Sequence, residues 1–145
     1  MLAAAATAQP TSPAQHDFPP EVRNAITEVE KQCDGPEGTG FVTSFKIIGL
    51  HDPAYALYYR KACAVGGGRM FWCGASGSCD LAIYAKTDNS PYHLVFLGSV
   101  KGVRLRNVHG RTEADIKYHG SACGKAGAES CSSVLIFDGQ KFGRD

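Results

Sequence analysis

No run of about 18 apolar residues occurs in the chain, so nothing in it reads as a membrane-spanning helix. Charge of one sign is also missing: the formal net charge is +1. That balance gives no bulk electrostatic reason to bind nucleic acid or a charged membrane surface. A Gly-rich phosphate loop of the Walker form is absent, and no serine sits in a nucleophile elbow. No two histidines fall at metal spacing on one helix face, and no second close cysteine pair completes a zinc ribbon. Carboxylates form no defined catalytic pair, and no internal repeat of fixed period occurs. These absences remove the common signatures of nucleotide, metal and hydrolytic chemistry, and no cofactor is expected.

What the chain does have is cysteine. Six occur in 145 residues, a length that builds one hydrophobic core without covalent help. They therefore speak for an oxidising compartment, periplasmic or extracellular. The N-terminus fits that reading. Leu2–Ala8 is apolar and small, and Ala6-Thr7-Ala8 has the form of a signal-peptidase site. Residues 1–8 are read as the remnant of a signal peptide, residues 9–19 as a disordered Pro-rich lead-in, and residues 20–145 as one β-rich domain.

Pro20 suits the first turn of a helix, and Val22, Ile26 and Val29 recur at helical spacing with Cys33 on the same stripe. Asp34-Gly35-Pro36 stops it. From Phe41 the period changes to two, with Phe41, Thr43, Phe45 and Ile47 on one side. Tyr55, Leu57 and Tyr59 alternate against Ala56, Tyr58 and Arg60, and Leu81, Ile83 and Ala85 oppose Ala82 and Tyr84. Tyr92–Leu97 is apolar on both faces and is expected to be a central strand. Gly120–Cys131 reads as a long loop, and Asp138-Gly139 as the turn of a last hairpin. The expected fold is mainly β (α+β): one N-terminal helix and about seven short antiparallel strands, a curled sheet or partly closed barrel stapled by disulfides.

Proximity pairs Cys73 with Cys79 and Cys123 with Cys131, leaving Cys33–Cys63 to tie the helix to the sheet. Trp72, the single tryptophan, is expected to be mostly buried beside the first ring. From Asn89 to Thr112 there is no acidic residue, which taken alone reads as a docking stripe. A two-residue turn at His109-Gly110 removes most of that charge. It sets Arg106 opposite Glu113, Arg104 opposite Asp115, Leu105 opposite Ala114 and Val103 opposite Ile116, a locally neutral hairpin with one apolar face.

Two loops stand out as contact surfaces. One is the tip Gly74, Ala75, Ser76, Gly77 and Ser78 inside the Cys73–Cys79 ring. The other is Gly124–Ser130, with Lys125 and Glu129. The Phe71-Trp72-Cys73-Gly74-Ala75-Ser76-Gly77-Ser78-Cys79 segment resembles the central loop of small exported proteins of alphaproteobacteria. His119-Gly120-Ser121-Ala122-Cys123-Gly124, Cys131 and Leu135–Phe142 are similar to the tail of the same group. The resemblance spans roughly the C-terminal half, and it implies an exported, disulfide-bonded protein with no catalytic residue to carry over. The expected function is a non-enzymatic binding or inhibitory module whose partner is another protein or a cell-envelope component, not nucleic acid. The competing expectation is a small periplasmic hydrolase using His119 and Ser121.

Overall fold

The computed structural model describes residues 17–64, 71–74, 77–125 and 129–144. The signal-peptide remnant, most of the lead-in, the Gly66-Gly67-Gly68 turn, and Ala75 and Ser76 of the ring tip lie outside these. Helix α1 runs Pro20–Cys33 and buries Val22, Ile26 and Val29, the stripe expected from spacing. Asp34 ends it in the left-handed region at φ 55°, with the Gly35 N–H bonded back to the Glu30 carbonyl at 3.2 Å. Phe18, within the lead-in, packs its ring 5.4 Å from Tyr55.

Eight strands follow. They are β1 (Val42–Phe45), β2 (Ala54–Tyr58), β3 (Cys79–Ala85), β4 (His93–Val100), β5 (Gly102–Val108), β6 (Arg111–His119), β7 (Ser130–Phe137) and β8 (Phe142–Gly143). They form two antiparallel four-stranded sheets, each in sequence order, β1 to β4 and β5 to β8. The architecture is mainly β with one helix, but the strands form two sheets and not one closed barrel. Lys101 is the changeover between sheets. Its N–H donates to the Lys117 carbonyl at 2.7 Å, and its own carbonyl accepts from the Tyr58 hydroxyl at 3.1 Å.

The helix makes this a three-layer protein. One face of the first sheet puts Tyr55, Leu57 and Ala82 against Val22, Ile26, Val29 and Phe41. The other face puts Ala54, Ala56, Leu81, Ile83 and Ala85 against Ala114, Ile116, Leu135 and Phe142 of the second sheet. The period-two alternation read in β2 and β3 thus sorts side chains between two cores. Phe41 and Ile47, expected on one side of one strand, belong to different cores. β1 is only four residues long, so both lie outside it where the chain turns, and Thr43 is exposed.

The strands buried on both faces are β2 and β3, the two central ones. β4, expected to be central, is the edge of the first sheet. Leu94 and Leu97 are 44% and 64% exposed. They face Tyr84 and Ala82 in register, on the helix side, but no residue of β4 belongs to the helix-side core.

The β5–β6 hairpin has the expected register throughout, from Val108↔Arg111 to Val103↔Ile116. His109 and Gly110 take φ 54° and 75°, the positive pair that a two-residue hairpin turn of matching twist requires. Its charge differs from expectation. Glu113 accepts from Arg106 Nε at 3.2 Å and from Arg111 Nε at 2.9 Å, and among the described residues no ion pair joins Arg104 to Asp115. One carboxylate thus serves two arginines, while Arg104 is exposed and faces Asp115 in register without pairing with it.

Burial works against ionising Glu113, yet the hydrogen bonds and charges of Arg111 and Arg106 outweigh it and hold the carboxyl below its ordinary 4.5. A folded pKa below the unfolded one gives stability that is fully present above pH 4.5 and is lost as pH falls through the folded value. The melting temperature of the wild type should therefore fall more steeply below that pH than that of Glu113→Gln. Parallel acid limbs would remove this ion cluster as a source of stability.

All three expected bridges are present: Cys33–Cys63, Cys73–Cys79 and Cys123–Cys131. No helix among the described residues is long and apolar enough to cross a membrane.

Candidate functional site

The second sheet stops being apolar at one end. On the face turned to the core, Ala114 pairs with Leu135 and Ile116 with Ser133, and Tyr118 pairs with Cys131. The first of these pairs is buried and apolar; the next two bring in a serine hydroxyl, a phenol and a disulfide. Sequence drives this change, since β7 begins Ser-Cys-Ser-Ser and becomes apolar only at Val134. Core filling therefore ends before the sheet does.

A groove of about 490 Å³ opens there. Tyr118, Cys131, Ser132 and Ser133 line it from β6 and β7, and Ala122 and Cys123 from the connecting segment. That segment, expected to be a long loop, starts as a 3-10 turn, Gly120–Cys123. Gly124 closes the turn at φ 76°, and the Lys125 N–H returns to the Gly120 carbonyl at 2.9 Å. The Cys123–Cys131 bridge, with Cα atoms 6.6 Å apart, fastens the turn to β7. Arg144, just beyond β8, completes the lining. Burial pushes the Tyr118 phenol up, and the nearby Arg144 charge only partly offsets it. The hydroxyl is thus protonated and free to donate at neutral pH.

His119 and Ser121 adjoin this groove without lining it. His119 Nδ1 lies 2.7 Å from Ser121 Oγ, the contact a hydrolase needs. The same nitrogen also accepts the Ser121 backbone N–H at 3.3 Å, which makes the imidazole a cap on the 3-10 turn. No carboxylate among the described residues ion-pairs with His119.

Lys125 and Glu129 are exposed at the two described ends of the loop. The Cys73–Cys79 ring leads into β3 of the first sheet, and none of its described residues lines the groove. Gly74 is exposed, but Ser78 is buried, and its Oγ has no hydrogen-bond partner among the described residues. Strand β3 begins immediately after Ser78 and draws it inward, which removes its side chain from the exposed tip. Arg60 holds the ring to the sheet by hydrogen bonding to the Gly77 carbonyl and, at 3.1 Å, to the Tyr58 hydroxyl. Trp72 is half-buried, its ring 5.3 Å from Tyr59 and 5.8 Å from the exposed Phe71. Burial, then the charges of Tyr84 and Asp80, push the Tyr59 hydroxyl up to about 12.

The groove residues Tyr118, Ser132, Ser133 and Arg144 were not among the sequence candidates. Ser132-Ser133 inside a strand was a readable signal of a polar end; Arg144 carried none. No group of three or more histidine, cysteine, aspartate or glutamate side chains placed to hold a metal occurs among the described residues. No family model, no curated protein and no solved structure matches the chain.

Proposed function

We propose that this chain is an exported, disulfide-stabilised binding module, periplasmic or secreted and without catalysis of its own. It meets a partner protein or cell-envelope component through the face that carries the Cys123–Cys131 groove. The observation that carries this is the groove itself: a concavity within the range of small-molecule and peptide-end sites, closed on one side by a covalent bridge. Three disulfides in a chain of this length support the compartment, as do the Ala6-Thr7-Ala8 motif and the resemblance to exported alphaproteobacterial proteins. A photo-crosslinking residue placed at Lys125 should capture a partner in the bacterial envelope, and the same residue at exposed Thr43 on β1 should not. Capture at Thr43 alone, or at neither position, would overturn the reading.

The hydrolase reading has the short His119–Ser121 contact in its favour. It requires ester turnover by the wild type that Ser121→Ala abolishes. The expected result is no turnover by either.

A further inference from the structure

We propose that the groove beside the Cys123–Cys131 bridge receives a carboxylate on a small, partly apolar body, with Arg144 as counter-ion and the Tyr118 and Ser133 hydroxyls as donors. This rests on the loop face being the binding face. The sign of the ligand follows from the lining. Among the described residues, Arg144 is the one charged residue of the lining and no carboxylate lines the groove. The remaining polar side chains, Tyr118, Ser132 and Ser133, are all hydroxyls and can donate to an anion. Burial keeps the Tyr118 proton in place at neutral pH despite the neighbouring guanidinium.

The kind of anion follows from the number of cations. One planar guanidinium offers two parallel N–H groups, which match the two oxygens of a carboxylate. A phosphate dianion calls for a second cation or a nest of backbone N–H groups. Neither occurs in the lining among the described residues: Lys125 stands outside it and its N–H is spent on the Gly120 carbonyl. The volume, about 490 Å³, is well beyond a bare carboxylate. The rest of the space is faced by Ala122 and the disulfide, surfaces that offer dispersion contact and no charge. A peptide chain end and a free short-chain acid both have this chemistry.

The test is a titration of the full-length oxidised protein followed by amide NMR. The probes are propionate, N-acetyl-trialanine, its C-terminal amide, and inorganic phosphate. One or both acids should shift the Tyr118, Ser132 and Ser133 amides, and the tighter of them identifies the source as chain end or free acid. The C-terminal amide should bind about tenfold weaker or worse, the loss of one charge-assisted pair. Arg144→Gln should weaken the acid by a similar factor with its spectrum otherwise unchanged, since Arg144 is exposed. Arg144→Lys should recover only part of the loss, because it keeps the charge and not the fork. Equal binding of acid and amide, tighter binding of phosphate, or no groove shift with any probe would overturn the proposal. If crosslinking at Lys125 persists alongside such a result, only the carboxylate assignment falls; if it is lost too, so does the binding face.

Discussion

Replacing Cys33 and Cys63 together by alanine is expected to cost about 3–4 kcal/mol of unfolding free energy, the largest loss from any of the three bridges. The residues are 30 apart in sequence, against 8 for Cys123–Cys131 and 6 for Cys73–Cys79. Closing the longer loop removes more conformational freedom from the unfolded chain, and the two short rings should each be worth about 2–3 kcal/mol on the same scale. The Cys33–Cys63 bridge also closes a tight corner. Glu37 pairs with Cys63 in an antiparallel bridge, and the Gly38 N–H donates to the Ala62 carbonyl at 2.8 Å. The backbones come so close that a Cβ on Gly38 would run into the Lys61 carbonyl. Urea titration of the oxidised variants by circular dichroism measures the order. A Cys33/Cys63 variant no weaker than the Cys73/Cys79 one would show that the corner is held by its backbone contacts and not by the crosslink.

Phe41→Ala is expected to cost about 3–5 kcal/mol, and Trp72→Ala only about 1–2 kcal/mol. Phe41 is fully buried where the helix, β1 and the segment after β2 meet, with its ring 5.0 Å from Tyr59 in an edge-to-face contact. Truncating it leaves a cavity that the helix and sheet, tied by Cys33–Cys63, cannot close. Trp72 keeps part of its surface in water, so its removal forfeits less burial. Trp72, expected to be mostly buried, packs against the helix-side core from its margin and is not one of its fully buried members. Chemical denaturation followed by far-ultraviolet dichroism compares the two, because Trp72→Ala deletes the fluorescence probe. Equal losses would mean that Trp72 carries as much of the helix-side core as Phe41.

The parts legible in the sequence were those set by neighbours along the chain. The helix stripe of Val22, Ile26 and Val29 is a matter of spacing. The hairpin register is another, because a slip by one residue would turn Leu105 and Val103 outward. Two of the bridges followed from short ring lengths, and the third by elimination. Lys125 and Glu129 were legible as exposed loop residues because a cysteine pair brackets their loop, but the groove's own polar residues were not found. Tyr118 and Ser133 lie on different strands, and Arg144 reaches them only because β8 folds back along β7.

Residue order by itself therefore determined the period of the helix and of β2 and β3, the turn at His109-Gly110 and the two short covalent rings, since all of these depend on separations within one stretch of chain. Only the tertiary structure decided which faces are covered. Leu97 and Leu81 are both apolar residues of strands, yet one is 64% exposed and the other fully buried. The difference lies in what packs over them. The helix stops at β3 and the second sheet covers only the inner face of the first, so β4 keeps an open apolar side. Burial depends on two surfaces meeting, and the second surface is written elsewhere in the chain.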